Sequence, residues 1–229
     1  MFSKIQFFYI SVLFAAILGT ATLPNGYLDH GAPVKIEVSI LDMKTAQKLF
    51  DAFKSDPSIP FRYPVDGCYA RATAMSKIAK AKGITMARIN VEGDLQVQTD
   101  LPKYRKVQWG WHVAVVALVK DASGKTVSMV FDPSLFDKPV TEQVWEQRLI
   151  VKTDDFDPKI KQIYYGSQNQ YWMRTTEGVP TEFHEYYRSK PPTDSELGDY
   201  AVKVLFVKYS PLQDSPAARN ASPESSGAK

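Results

Sequence analysis

The chain's one cysteine, Cys68, lies in the run YPVDGCYARATAM, between a glycine and the start of a segment with helical apolar spacing. A single thiol reads either as a small buried hydrophobe or as a nucleophile. At the first turn of a helix, the dipole and the unpaired N–H groups favour thiolate over thiol, and the same amides can face an oxyanion. Asp66 stands where it is expected to cap that helix.

A cysteine nucleophile needs a base, and the chain offers His30, His112 and His184. His30 falls in an expected loop. His184 sits among Glu182, Glu185, Tyr186 and Tyr187, and both read as solvated surface residues. No pair of histidines has zinc-like spacing, so neither a metal nor a cofactor is expected. His112 opens the run HVAVV, which is apolar on both faces and reads as a central strand. That strand and TVSMVFD flank KDASGK, the pattern of a hairpin. If Ala122, Ser123 and Gly124 form the loop, with Gly124 left-handed, Asp121 pairs with Lys125. Counting back along both strands sets Asp132 opposite Ala114, one diagonal step from His112 and within reach of its ring. An even-numbered loop would turn Asp132 to the other face. Taken singly, His112 is an ordinary strand-end histidine and Asp132 a turn-starting aspartate before Pro133. Taken together, Cys68, His112 and Asp132 supply a nucleophile, a base and a group that orients the base. Tyr69, Trp109 and Trp111 flank them, as cleft lining for a substrate or as packing residues.

The elements that must position these groups follow from periodicity. VKIEVSI alternates as a strand, and LDMKTAQKLFDAFKSDP carries Leu41, Ala46, Leu49, Phe50 and Phe53 at helical spacing. A second helix runs from Gly67 or Cys68 toward Gly83, and ITMARINV reads as a strand. Thr141 is placed to cap a helix with Val144, Trp145 and Leu149; Thr193 and Glu196 spell a capping box. The stretch AVKVLFVKY fits helix and strand equally. Helices beside a mostly antiparallel sheet make the class α+β.

The N-terminus opens with Lys4, an apolar run from Ile5 to Leu18 and small residues Gly19 and Ala21, the pattern of a secretory signal cut after Ala21. The expected division is a signal at 1–21, one catalytic domain at 22–210 and a disordered Pro/Ser/Ala-rich tail at 211–229. A secreted monomer is expected, extracellular or periplasmic and free of the membrane once the signal is removed. A net charge of +3 without a dense basic cluster argues against nucleic acid.

Three blocks, IPFRYPVDGCYARATAM, WGWHVAVVALVKDASGKT and FDPSLFDKPVTEQVW, resemble bacterial protein-glutaminases, secreted protein-glutamine deamidases with a transglutaminase-like, papain-like core. The resemblance spans about Ile59 to Trp145 and is fainter at IYYGSQNQYW. It implies that Cys68 is the nucleophile, His112 the base and Asp132 its partner, in hydrolysis of glutamine side chains of proteins or peptides with release of ammonia. Transglutamination or papain-like proteolysis would use the same triad, and a secreted binding protein could keep the fold without turnover. Thr73 stands where the family often carries histidine, and its members have further cysteines in disulfides. They are also made with a pro-region. The residues before Cys68 here read as core elements, so activity is expected on folding without processing beyond signal removal, with a separate inhibitor as the safeguard.

Overall fold

The computed structural model describes residues 17–27, 33–168 and 193–214. Its elements run β1 (Ile17–Tyr27), β2 (Pro33–Asp42), α1 (Met43–Ser55), α2 (Cys68–Ala81), β3 (Ala87–Gln98), β4 (Lys106–Lys120), β5 (Thr126–Phe131), β6 (Val140–Thr141), α3 (Glu142–Leu149), β7 (Lys159–Ser167) and α4 (Asp194–Val204). A wide helical turn, Leu205–Tyr209, and a tight one, Ser210–Leu212, follow α4. The fold is therefore α+β.

The strands lie in the order β2-β1-β7-β3-β4-β5-β6, with an additional β2–β4 pairing that closes the first five into a ring. Five of the pairings are antiparallel; β1–β7 and β2–β4 are parallel. Alternation along β4 divides the core in two, as the pleat requires. Val113, Val115, Ala117 and Val119 pack with α1 and α2, around Phe50, Phe53, Met75 and Phe131. Ala114 and Val116 pack on the other side with Ile36, Val38, Ile89, Val91, Trp145 and Leu149. Each large side chain so enclosed contributes about 1.5–3 kcal/mol.

Helix α1 begins two residues later than its apolar spacing suggests, at Met43. Asp42 accepts the Thr45 N–H at 2.6 Å as its cap, and Leu41 belongs to the end of β2, where it is fully buried. Thr141 caps α3 through Val144, and Thr193 and Glu196 form the expected capping box. AVKVLFVKY resolves as helix: α4 carries it to Val204 and the wide turn to Tyr209. Gly198 brings α4 against α2, where an added Cβ would stand 3.1 Å from the Thr73 methyl.

Two strands lie where the sequence reading has none. β7 covers KIKQIYYGS and joins β3, and β1 crosses the expected cleavage point, with Ala21 opposite Val38 in β2. A cut after Ala21 would leave Thr22–Tyr27 for pairing with β2. Pro211–Asp214, which fall in the expected tail, lie among the described residues and are held to the rest of the fold. Asp214 is buried and ion-paired with Arg62 at 3.5 Å, because a charged partner and two backbone bonds hold it to the loop before α2. His30, His184 and Asn220 lie outside the described residues. Among those described, no helix is long and apolar enough to cross a membrane, and no group of His, Cys, Asp and Glu could hold a metal ion.

Candidate active site

The β4–β5 hairpin turns as its residues require. Asp121 donates its N–H to Lys125 O at 2.9 Å, and Gly124 takes φ 81°, a left-handed conformation open to glycine at no steric cost. The ladder runs from Lys120↔Thr126 to Val115↔Phe131, so Asp132 follows one step beyond, on the His112 face. His112 Nε2 meets Asp132 Oδ2 at 2.8 Å, with both side chains almost wholly buried.

Asp132 is held from every side. Trp145 Nε1, from α3, donates to the same Oδ2 at 3.0 Å, and the Ser134 hydroxyl and N–H donate to Oδ1. Burial alone would push this carboxyl up; the His112 charge and hydrogen bond, with those from Ser134 and Trp145, instead hold it below its ordinary value. For His112, burial pulls the pKa down, yet the Asp132 charge and hydrogen bond, helped by nearby Cys68, raise it from 6.5 to about 9. The imidazole is therefore charged at neutral pH. Nε2 is committed to Asp132, and the buried Nδ1 has no hydrogen-bond partner. Trp109 stacks on the ring, centroids 4.6 Å apart and planes within 10°, and fixes its plane.

Cys68 is the first residue of α2, as its sequence context predicts, but Asp66 does not cap the helix. The cap position belongs to Gly67, at φ 82°, which has no side chain to cap the helix. Asp66 instead accepts the Gly67 N–H at 2.6 Å through Oδ1 and the Tyr209 hydroxyl through Oδ2.

The loop before α2 is tied down by side chains from three places. Buried Arg71, one turn into α2, donates to the Tyr63 and Asp66 carbonyls at 2.9 and 2.7 Å. Trp109, from β4, shares its indole N–H between the Pro64 and Val65 carbonyls, both at 3.1 Å. Tyr209 and Asp214 hold it from the C-terminal side. Of the aromatics singled out in sequence, Trp109 thus joins the loop before Cys68 to His112. Half-buried Tyr69 has Tyr209 as a hydrogen-bonding neighbour. Trp111 packs on the α2 side, its buried Nε1 without a partner. Thr73 donates to Tyr69 O and accepts from buried Arg88.

Four residues of this arrangement escape the sequence reading. Ser134 could be found from the DPS turn, in which an Asp binds the residue two on. Trp145 looked like core, and Arg71 and Tyr209 carry no local signal.

A family described as Glutaminase matches residues 46–149, which span all three candidate groups. No match was found among curated proteins. Among solved structures, a crystal structure of protein-glutaminase is 29% identical, covers 82% of this chain and 97% of its own, and superposes with a TM-score of 0.59. A pro-protein-glutaminase is 31% identical over 83% of this chain, with a TM-score of 0.62; the match spans 66% of that longer chain. The NMR structure of protein-glutaminase from Chryseobacterium proteolyticum is 30% identical over 78% of this chain and 93% of its own, with a TM-score of 0.60. The sequence blocks around Cys68, His112 and Asp132, the α+β fold that brings them together and these matches carry one conclusion: the chain belongs to the protein-glutaminase family.

Proposed function

We propose that this enzyme deamidates glutamine side chains in proteins or peptides, converting them to glutamate with release of ammonia, through a thioester on Cys68. One observation carries the mechanism: Cys68 opens α2, and His112, whose pKa its neighbours Asp132 and Cys68 raise, is held by buried Asp132 through Nε2 at 2.8 Å. The proton of the thiol resides on His112, and the Cys68 sulfur attacks the amide carbon. The oxyanion that forms faces the first-turn amides, which no side chain caps. His112 gives its proton to the departing ammonia, leaving a thioester and a neutral ring. The ring then takes a proton from water, whose oxygen attacks the thioester. Collapse of that second intermediate frees glutamate and restores the sulfur and the charged imidazole. Asp132 stays ionised throughout and stabilises the imidazolium.

Tyr69, Trp109 and Trp111 form the walls that admit a glutamine side chain in this reading. Export from the cytoplasm, with cleavage after Ala21, accounts for the apolar start; in an oxidising compartment a free thiol such as Cys68 is a hazard that a nucleophile has to accept.

The test is ammonia release from a glutamine-containing protein, measured beside free glutamine, an asparagine peptide and an added amine. Release from the protein alone, without amine incorporation or chain cleavage, is the expected result, and Cys68→Ala and Cys68→Ser should abolish it without unfolding the chain. Ordinary activity in Cys68→Ala would end the proposal.

A further inference from the structure

Asp66 is an aspartate two residues before the nucleophile, and such a side chain ordinarily turns to the N–H two residues on, which here belongs to Cys68. In that position it would occupy an amide needed by the oxyanion and set a negative charge beside a negative transition state. The structure shows it turned away, with Oδ2 on the Tyr209 hydroxyl at 2.5 Å and Oδ1 on the Gly67 N–H. Tyr209 is fixed in turn. It is almost fully buried, it stacks on Tyr63 with centroids 5.1 Å apart and planes at 24°, and Tyr69 is its second hydrogen-bonding neighbour. The residues that follow are strapped to Arg62, in the loop before α2, and to Tyr104, between β3 and β4. Arg62 donates to Asp214 O and Asp214 donates to Arg62 O, while the Tyr104 hydroxyl donates to Leu212 O.

We propose that Tyr209 is a positioning residue for the deamidation: its hydroxyl holds Asp66 off the start of α2, so that the Cys68 N–H stays open to the oxyanion. This rests on the reaction proposed above. The geometry predicts an unusual separation of effects. Losing the tether releases Asp66 to cap α2, which suits the helix and harms the chemistry.

The experiment compares the parent with Tyr209→Phe, Asp66→Ala and the double variant. Phenylalanine keeps the ring on Tyr63 and removes only the hydroxyl. In Tyr209→Phe, kcat for ammonia release should fall about tenfold or more, in line with loss of an oxyanion donor, with KM within about twofold. Thermal stability should hold or rise. Adding Tyr209→Phe to Asp66→Ala should cost nothing further, since the hydroxyl acts through that carboxylate. A substrate-free arm follows alkylation of Cys68 by iodoacetamide, which should be slower in Tyr209→Phe than in the parent. Unchanged kcat, the same loss in the Asp66→Ala background, or unchanged alkylation would each overturn the proposal. A parent without deamidase activity, or an active Cys68→Ala, sinks the reaction instead, and the alkylation arm then decides the role of Tyr209 by itself.

Discussion

Asp132 reaches His112 across 20 residues of one hairpin, whereas Tyr209 reaches Asp66 across 143. Both contacts lie at the proposed reacting centre, and they are built in opposite ways. The acid–base pair is set by strand register: once the loop at Ala122–Gly124 is fixed, every later pair from Lys120↔Thr126 to Val115↔Phe131 is fixed with it. The nucleophile's loop has no register. It is placed by side chains sent from α2, from β4 and from beyond α4, and each tether is an independent contact. The hairpin side should therefore fail all at once, through its chemistry, and the loop side by degrees.

The largest effect is expected on the hairpin side. Asp132→Asn keeps the shape, and it removes the charge that holds His112 near pKa 9 and fixes its tautomer. Turnover should drop by about four orders of magnitude, on the precedent of an orienting aspartate lost from a triad. Near-normal turnover would make Asp132 a turn residue and nothing more.

The same pair sets a pH limit. His112 is raised by folding, so its contribution to stability is complete below 6.5 and is lost as pH rises through about 9. The leaving ammonia needs the protonated ring, so turnover should fall over the same interval, roughly tenfold per unit once pH is above about 9. Asp132 works in the other direction: its contribution is present above 3.8 and is lost as pH falls through its depressed value. An alkaline limb near 7 in the pH–kcat profile would show that Asp132 does not hold the proton on His112.

That contrast also explains what could be read in advance. The hairpin loop, the face of Asp132 and the first residue of α2 follow from local rules: a three-residue turn, a period of two and a helix start. Asp66 did not follow. Its local preference is to cap, and the preference is overridden by a phenol whose place depends on the packing of α4 and the turns after it. β1 and β7 were missed for a related reason. β7 reads KIKQIYYGS, with no clean alternation, and only its pairing with β3 makes it a strand. Pro211–Asp214 looked like tail by composition, yet Asp214 is anchored by Arg62, a partner 152 residues away.

On the loop side, Trp109→Phe separates two roles. The indole N–H ties the loop to β4 through Pro64 and Val65, and the ring stacks on His112. Phenylalanine keeps an aromatic face and loses the tie. If Trp109 is chiefly a clamp, kcat should fall several-fold, about the worth of one net hydrogen bond, with KM steady. A change confined to KM would assign it to the wall of the cleft.

The smallest effect tests whether the hairpin register depends on its glycine. Gly124 sits at φ 81° with open space where a Cβ would be, so alanine there meets no neighbour and pays only for the left-handed backbone. That strain is about 1–2 kcal/mol. The rest of the turn stays, because the Asp121 carboxylate still accepts from the Ser123 N–H and hydroxyl and from the Lys125 N–H. Six ladder pairs from Val115 to Lys120 hold the same pairing beyond it. Gly124→Ala should thus lower thermal stability by that modest amount and leave kcat and KM as they are. A large loss of turnover at preserved stability would mean that the loop has slipped by one residue, which carries Asp132 to the far face of β5 and away from His112.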